Sequence, residues 1–307
     1  MARYVTVGSV SHRPERPLED TAGRLAQAEA YATRADRMGA DIVAFREIYI
    51  HYGASSEQWL EYAEDLPGAT CQHMGRVARE HSMYIIWPLI ERAGARLYNS
   101  AVLIDRQGEI AGVYHKMFPT VGEMERGVVP GTEASVFQID FGRIGLAICF
   151  DLNFPPIIEG LAKNGAEIVF FSSMYRGGLQ LQCWAQRFGI YFVSAIDAEL
   201  GMIVDQSGKV LAEATYEAVI TRRINLDRRI LHMDYNWGRM DDMLARYGTG
   251  ISFEYFTREA KYAIASERDD LTVDDLIREF ELESLDEYWA RVHARRARAL
   301  REAAGSQ

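Results

Sequence analysis

The sequence contains few cysteines and no long uncharged apolar segment. Its three cysteines, Cys71, Cys149 and Cys183, are widely spaced among 307 residues, with no C-x-x-C pair. This pattern excludes a disulfide framework and a cysteine-based zinc site. Nowhere do 18 uncharged apolar residues occur together, and the N-terminal residues resemble no cleavable signal. We therefore expect a cytoplasmic protein, in a reducing compartment, that has no membrane partner.

An excess of basic charge is also absent. The 34 lysines and arginines are outnumbered by 44 aspartates and glutamates, so the net charge is −10. Sequence-independent binding of nucleic acid requires a basic face that displaces phosphate counterions. The arginines between Arg291 and Arg301 alternate with alanines, which is typical of a solvated helix face or an oligomer contact. No nucleic-acid partner is expected.

Common catalytic signatures are missing as well. The sequence has no G-x-G-x-x-G, no G-x-x-x-x-G-K-[ST], no G-x-S-x-G and no H-E-x-x-H. Its seven histidines are scattered along the chain. These absences disfavour phosphate, dinucleotide and metal chemistry, so we expect no cofactor and no metal ligand.

The composition that remains is that of a globular protein, 48% hydrophobic and 25% charged. Predicted strands and helices alternate without a linker to about residue 226, which indicates an α/β fold. Beyond that point the pattern predicts a loop-rich stretch and amphipathic helices near 272–282 and 285–303. We predict a catalytic domain at 1–226 and an extension at 227–307 that packs on this domain or on a neighbouring subunit.

Three polar side chains lie just past the ends of predicted strands. Glu47 follows the apolar run 41–45, Lys116 follows 113–115, and Cys149 follows 145–148. Each alone is more often a surface charge or a packed cysteine. Strand ends are where α/β sheets hold their active sites, and together these residues supply a base, a cationic oxyanion stabiliser and a nucleophile.

The segments around these residues carry a family resemblance. They read Phe45-Arg46-Glu47, His115-Lys116-Met117-Phe118-Pro119, and residues 145–155, Gly-Leu-Ala-Ile-Cys-Phe-Asp-Leu-Asn-Phe-Pro. In this order they resemble the nitrilase, or carbon-nitrogen hydrolase, superfamily over residues 3–226. The resemblance implies an α/β nitrilase-like two-sheet sandwich flanked by helices (α-β-β-α), a C-terminal helical extension, and a homodimer or larger homo-oligomer.

The resemblance also implies a second glutamate near the lysine. Glu123 and Glu125 both fit its segment, and Glu123 is preferred because it lies seven residues after Lys116. Two positions depart from the family pattern, because Arg46 and Pro156 stand where proline and glutamate are common. Neither supplies a reacting group, so the departures bear on pocket shape.

The chemistry that these residues suggest is hydrolysis through a thioester. A thiol with a pKa near 8.5 is only a few per cent ionised at neutral pH, so it requires a base or a positive field. We expect Glu47 to take the proton of Cys149, while Lys116 and the Phe150 backbone N–H hold the oxyanion. The expected reaction converts a small amide to a carboxylic acid and ammonia.

The residues after the cysteine bear on the substrate. Phe150 and Asp151 resemble the amidase branches, whereas true nitrilases usually have Trp-Glu there. Enzymes of the family that act on N-carbamoyl amino acids tend to have arginine where this sequence has Leu152 and Asn153. The pattern therefore favours a small or neutral amide.

Four residues are candidates for contact with the substrate. The candidates are Tyr52, Asn153, Tyr175 and Arg176. Tyr52 and Tyr175 either line the pocket or pack in the core, and Arg176 either binds an acidic group of the substrate or is solvated.

Other activities remain open: an N-carbamoyl amide or nitrile hydrolase, an acyl transferase with the same triad, and, in another class, a non-catalytic scaffold.

Overall fold

The computed structural model describes residues 2–55, 57–196 and 200–305. The chain divides into two compact units. The larger unit spans Val5–Ile224, and the smaller unit contains the N-terminal residues through Tyr4 and the chain from Asn225 onward. The first and last residues of the two proposed domains, 1 and 306–307, lie outside the described residues.

The larger unit alternates strands and helices, as the sequence pattern predicts. In chain order its elements are β1 (Tyr4–Val10), α1 (Thr21–Arg37), β2 (Ile42–Phe45), α2 (Trp59–Tyr62), α3 (Ala69–Glu80), β3 (Tyr84–Ala93), β4 (Arg96–Ile104), β5 (Ile110–His115), α4 (Val121–Glu125), β6 (Val136–Gln138), β7 (Arg143–Ile148), α5 (Pro155–Lys163), β8 (Ile168–Ser172), α6 (Leu179–Phe188), β9 (Tyr191–Ala195), β10 (Met202–Val204), β11 (Val210–Glu213) and β12 (Val219–Asn225). Short 3-10 helices follow β2, at Tyr49–His51, and β7, at Cys149–Asn153.

The strands form two mixed sheets, each with six strands among the described residues. Their spatial orders are β12-β1-β2-β3-β4-β5 and β11-β10-β9-β8-β7-β6. Neighbours β1, β2 and β3 run parallel, as do β7, β8 and β9, while β4–β5 and β6–β7 are antiparallel pairs. The parallel strands read as continuous apolar runs because both of their faces are buried; every residue of β8 is buried.

Helices cover the outer face of each sheet. Helices α1 and α3 contribute alanines and larger apolar residues to a core that they share with β2, β3 and β4. Helices α5 and α6 do the same with β7, β8 and β9. The inner faces meet across buried hydrogen bonds, such as that from Ser172 Oγ to the Phe45 carbonyl, 2.8 Å. The α-β-β-α sandwich implied by the resemblance is therefore confirmed.

This arrangement brings several strand ends together. Strand β2 ends at Phe45, β5 at His115, β7 at Ile148 and β8 at Ser172. The residues that follow these ends form one cluster, and both sheets of the sandwich contribute residues to it.

The smaller unit differs from the expected loop-rich stretch. Its elements are β13 (Arg228–His232), α7 (Met240–Tyr247), β14 (Ile251–Phe256), β15 (Lys261–Ser266), α8 (Val273–Glu279) and α9 (Leu285–Gly305). The strands form an antiparallel sheet in the order β13-β15-β14. The segment expected to be loop-rich contains strands as well, because the aromatic and β-branched residues at 251–256 and 261–266 pair in register as strands.

The two helices predicted near the C-terminus are present as α8 and α9. Leu276 of α8 packs in a core of this unit with Tyr262 and Ile264 of β15. None of the helices in the described ranges has the length and apolar character needed to cross a bilayer.

Candidate active site

Glu47 is held rigidly just past the end of β2. Its side chain is almost fully buried, and Oε1 accepts hydrogen bonds from Lys116 Nζ and Asn99 Nδ2, both at 2.9 Å. Oε2 accepts a third bond from the backbone N–H of Met174, at 3.0 Å. These three donors come from β4 and from the segments after β5 and β8, so the sandwich itself sets the orientation of the carboxylate.

Lys116 joins two carboxylates in the interior. Its ammonium donates to Glu47 and to both oxygens of Glu123, at 3.1 and 2.9 Å, and the side chain is 2% exposed. Burial by itself would lower the pKa of Lys116, but the surrounding negative charge, foremost that of Glu47, raises it above its usual value. Lys116 is therefore a permanent cation in this site.

Glu123, and not Glu125, meets the lysine. Burial alone would raise the pKa of Glu123, but Lys116 and Asn99 lower it below its usual value. Asn99 Nδ2 lies 2.8 Å from Glu123 Oε1, so one amide bridges the two carboxylates. Glu125, at the end of the same short helix, is exposed. The position seven residues after the lysine is the one that turns inward.

Cys149 begins the 3-10 helix after β7 in a left-handed backbone conformation, with φ = 49°. A non-glycine residue in this region stores roughly 1–3 kcal/mol of strain, which is most often found at functional sites. The thiol lies within hydrogen-bonding reach of Glu47 and Ser173. The turn thus directs the side chain into the cluster instead of into the packed sheet.

The thiol of Cys149 is neutral at rest. Burial, followed by the charge of Glu47, raises the pKa of the Cys149 thiol to about 12, although Lys116 partly offsets this. A stable thiolate is therefore not present before substrate binds. Attack by sulfur requires that its proton is transferred to a neighbouring base, and Glu47 is the carboxylate in contact.

Asp151 ties the nucleophile turn to the lysine segment. Its carboxylate is fully buried and accepts hydrogen bonds from Ile148 N, Phe118 N and the Tyr114 hydroxyl, at 3.0, 2.8 and 2.8 Å. Burial raises the pKa of Asp151 to about 6, although these bonds lower it in part. The group holds the ends of β5 and β7 in fixed relation.

A pocket of about 260 Å³ opens onto these side chains. Besides the four candidate catalytic residues, it is lined by Trp59, Thr120, Arg126 and Met174. Its wall combines a large aromatic ring, a thioether, one hydroxyl and one guanidinium. The volume is below the roughly 300–1,000 Å³ of sites for drug-sized ligands, so the pocket is suited to a small molecule.

The four expected substrate contacts do not line this pocket. The Tyr52 ring lies against the guanidinium of buried Arg46, 4.3 Å away, and the Tyr175 hydroxyl donates to Gln180 at 3.0 Å. Asn153 is exposed and donates to the Phe150 carbonyl, and Arg176 is exposed. These residues are near the cluster in sequence, but the local turns direct them elsewhere.

The sequence interpretation missed several residues of the site. Asn99 left a usable signal, because it is a polar residue inside the apolar strand Tyr98–Ile104. The helix that contains Trp59 and the loop position of Arg126 left none, since both reach the pocket only through the tertiary fold. In the described part of the chain, no three His, Cys, Asp or Glu side chains are grouped as a metal site.

Comparison with known proteins agrees with this geometry. The sequence profile of the carbon-nitrogen hydrolase family matches residues 6–230. The chain is 31% identical over 170 residues to a bifunctional nitrilase/nitrile hydratase of Lupinus angustifolius, covering 48% of each chain. It is 32% identical over 161 residues to an N-carbamoylputrescine amidase of Solanum lycopersicum, covering 50% of this chain and 54% of the relative. The chain thus spans about half the length of these curated relatives.

Longer matches are found at lower identity. An omega-amidase of Homo sapiens is 26% identical over 227 residues, covering 65% of this chain and 82% of the relative. An amidase of Nesterenkonia from the nitrilase superfamily superposes with a TM-score of 0.66 at 21% identity, over 79% of this chain and 97% of that one. Saccharomyces cerevisiae Nit3 gives a TM-score of 0.67 at 20% identity, over 73% and 90%. Because the profile match covers most of the chain and the fold agrees, this protein belongs to the carbon-nitrogen hydrolase family, in the nitrilase superfamily.

Proposed function

We propose that this protein is a cysteine-dependent amidohydrolase that converts a small amide to a carboxylic acid and ammonia. One observation carries the proposal: the Cys149 thiol contacts a carboxylate, Glu47, which is itself bonded to the buried ammonium of Lys116. A nucleophile, a base and a fixed cation therefore share one small pocket, which is the set that acyl transfer requires.

In the first half-reaction, sulfur attacks the amide carbon while the thiol proton passes to Glu47. The carbonyl oxygen becomes an oxyanion, held by Lys116 Nζ and the Phe150 backbone N–H. Phe150 is the second residue of its 3-10 helix, and the first N–H groups of a helix have no intrahelical acceptor. The carbon–nitrogen bond then breaks and Glu47 returns the proton to nitrogen. Ammonia departs, and a thioester remains on Cys149.

In the second half-reaction, Glu47 takes a proton from water as the water oxygen attacks the thioester. The carbon–sulfur bond breaks, sulfur recovers the proton, and the carboxylic acid leaves. Asn99 holds Glu47 in place, and Glu123 holds Lys116, through hydrogen bonds to the Glu47 carboxylate and to Lys116 Nζ. One amide and one water thus give one acid and one ammonia.

The relatives support the reaction class more than the substrate. By name they include amidases and nitrilases, and they share the family but not one substrate. A glutamate-to-glutamine mutant of the Nesterenkonia amidase has been crystallised with the acetamide moiety of fluoroacetamide added covalently at its active-site cysteine. This supports a covalent route here. The small pocket favours an amide with a short side chain.

The direct test is ammonia release from a panel of small amides, nitriles and N-carbamoyl compounds. Wild type and Cys149→Ala are compared side by side, with Cys183→Ala as the matched control because Cys183 is exposed and outside the pocket. We expect release from an amide that is lost in Cys149→Ala and kept in Cys183→Ala. Turnover of a nitrile or N-carbamoyl compound only would replace the amidase proposal with that activity.

A second experiment separates an enzyme from a scaffold. In an inert fold the exposed Cys183 reacts with iodoacetamide before the half-buried Cys149, whose raised pKa disfavours the thiolate. We expect mass spectrometry at neutral pH to show Cys149 alkylated first. Glu47→Gln should slow the labelling of Cys149 relative to wild type and leave the rate at Cys183 unchanged. Preferential labelling of Cys183 in wild type contradicts the proposal.

We also retain the proposal of a homodimer or larger homo-oligomer in a reducing, cytoplasmic environment. The free state of all three cysteines supports the reducing environment. Helix α9 supports the homo-oligomer, because nearly every side chain after its first two turns is exposed in the single chain, including Leu300. Sedimentation equilibrium of the full chain tests the assembly, and a monomer at micromolar concentration contradicts it.

A further inference from the structure

The second half of α9 extends from the smaller unit with its side chains uncovered. The helix is attached near its beginning, where the Tyr288 and Trp289 rings contact the His232 ring at centroid distances of 4.4 and 5.8 Å. Every side chain at 292–304 is exposed in the single chain. This stretch is about 20 Å long at a rise of about 1.5 Å per residue. An isolated helix of this length is only marginally stable in water, so a partner that covers it would stabilise it.

The exposed helix has an apolar stripe that is interrupted by one arginine. At 3.6 residues per turn, Trp289, Val292, Ala299 and Leu300 lie on one side of α9, and Arg296 lies between them. Trp289, Val292 and Leu300 are 43%, 42% and 54% exposed, although each is large and apolar. Such a row of side chains is the feature that a second helix covers.

The charges of α9 are separated by sign. Its first turn contains Asp286 and Glu287, whereas the part from Arg291 to Arg301 contains five arginines and no acidic residue. The helix dipole favours cations in the last turn, but the last turn of α9 has no basic residue. The dipole of the helix therefore does not account for the arginines.

Most of these arginines have no charged partner within their own chain. Two of the five bond to carboxylates, Arg291 to Glu283 and Arg298 to Glu302. The other three form no ion pair in the part of the chain that the structure describes; they are Arg295, Arg296 and Arg301. Their guanidinium groups are available to a partner that offers negative charge or aromatic faces.

A second copy of the same helix fits this surface in the antiparallel direction. In a parallel pair each arginine lies beside its own copy, and like charges repel. In an antiparallel pair the arginine-rich half of one helix passes the acidic first turn and the aromatic residues of the other. With Val292 near the two-fold axis, Arg296 lies opposite Trp289 of the partner subunit, where a guanidinium stacks on the indole face.

We propose that the exposed part of α9 pairs with α9 of a second copy of this chain in an antiparallel two-helix contact, whose direction and register are set by Arg296. This rests on the homo-oligomer proposed above and names the surface through which two copies meet. A single polar residue within an apolar seam fixes the register of paired helices in the same way. An anionic partner such as nucleic acid is less favoured, because the net charge of −10 repels it.

Cross-linking of the full chain tests the direction of pairing. In a Cys149→Ala/Cys183→Ala background the remaining native cysteine, Cys71, is buried. Val292→Cys or Leu300→Cys is added, and a short bismaleimide is applied at micromolar protein. We expect Val292→Cys to give a covalent dimer on a denaturing gel. Leu300→Cys should give none, because the two 300 positions of an antiparallel pair lie about 20 Å apart.

Other patterns overturn the proposal. Cross-linking of Leu300→Cys as efficiently as Val292→Cys indicates a parallel or random contact. The absence of a covalent dimer in both variants shows that α9 does not pair with itself. If the chain without cross-links also binds heparin at low salt, the arginines belong to an anionic partner instead.

A charge reversal tests the role of Arg296 separately. Arg296→Glu, added to the Val292→Cys protein, should lower the yield of covalent dimer about 10-fold, because the contact is made twice in a symmetric pair. Arg298→Glu is the matched control, since it makes the same change in charge two residues away, on the opposite side of the helix. Equal yields in the two variants overturn the assignment of Arg296.

The outcome is independent of catalysis. Ammonia release by wild type without a Val292→Cys cross-link would leave the amidase proposal in place and remove this contact. An oligomer by sedimentation without that cross-link would likewise keep the assembly and overturn the pairing of α9.

Discussion

Asn99 connects the two carboxylates of the site through a single side-chain nitrogen. Its Nδ2 donates to Glu47 at 2.9 Å and to Glu123 at 2.8 Å, so it neutralises neither group but fixes the distance between them. Lys116 supplies the positive charge between the two carboxylates, and Asn99 sets the distance between them. A strand residue with no reacting atom is therefore as much a part of the site geometry as the triad.

Replacing Asn99 tests this directly. Asn99→Asp removes the donor and adds a third carboxylate beside Glu47 and Glu123, so we expect kcat/KM for amide hydrolysis to fall about 100-fold or more. Ser100→Ala is the control, since Ser100 is buried on the same strand but donates to Glu91. A comparable loss of kcat/KM in both variants would mean that the strand matters only for folding.

Asp151 makes stability depend on pH. Its pKa in the fold, about 6, is above the usual 3.8, so the folded chain binds this proton more tightly than the unfolded chain. The resulting stabilisation is present in full below about pH 4 and is lost as the pH rises through about 6. By 1.36 kcal/mol per pKa unit, it amounts to about 3 kcal/mol.

Asp151→Asn removes this titration. We expect the free energy of unfolding of wild type, taken relative to Asp151→Asn, to decrease by about 2–3 kcal/mol between pH 4 and pH 7. Urea unfolding at several pH values in this range measures the difference. Parallel pH profiles for the two proteins would show that this carboxyl keeps its usual pKa in the fold.

At the scale of elements, α4 shows how a short helix positions a candidate catalytic group. Thr120 caps this helix, with Oγ1 accepting from Glu123 N at 3.3 Å and its own N–H donating to Glu123 Oε2 at 2.6 Å. The same Glu123 carboxylate binds Lys116. A capping box is a local sequence feature, whereas here it also orients the second glutamate.

The capping hydroxyl of Thr120 can be removed with little change in the volume of the side chain. Thr120→Val should lower stability by about 1 kcal/mol and reduce kcat/KM several-fold, because Glu123 loses the bond to Oγ1 that fixes it. Thr120→Ser keeps the oxygen and should restore activity to near the wild-type value. Equal losses of kcat/KM in the two variants would assign the effect to pocket shape instead of capping.

At the scale of the whole molecule, each unit has its own apolar core. The clusters beneath the two large sheets contain residues of Val5–Ile224, and a separate cluster contains residues of the smaller unit, including Leu276. Leu276 is fully buried, so Leu276→Ala should lower the stability of its core by about 2–5 kcal/mol.

Hydrogen exchange resolves this change by segment. We expect Leu276→Ala to accelerate exchange in β13–β15 and to leave β2, β7 and β8 at wild-type rates. Leu161→Ala, in the core under the second large sheet, should produce the reverse pattern. Uniform acceleration throughout the chain in either variant would show that the two cores unfold together.

The sequence by itself determined the α/β class and pointed to the three side chains of the proposed triad. Apolar runs predicted the strands, and Glu47, Lys116 and Cys149 were singled out because each lies within two residues of the end of such a run. These are local properties, since burial periodicity and the position after a strand can be read along the chain. The strands of the smaller unit were missed because short, half-exposed strands have weak patterns.

Only the tertiary structure decided what surrounds the reacting groups. Trp59 and Arg126 reach the pocket from α2 and from the end of α4, and Asn99 of β4 donates hydrogen bonds to Glu47 and Glu123. It likewise decided that Glu123 turns inward, that Arg176 does not line the pocket, and that the thiol stays protonated. The direction of a side chain, its distance from its neighbours and its desolvation depend on which strand ends the sandwich brings together. None of these can be read from the pattern of residues along the chain.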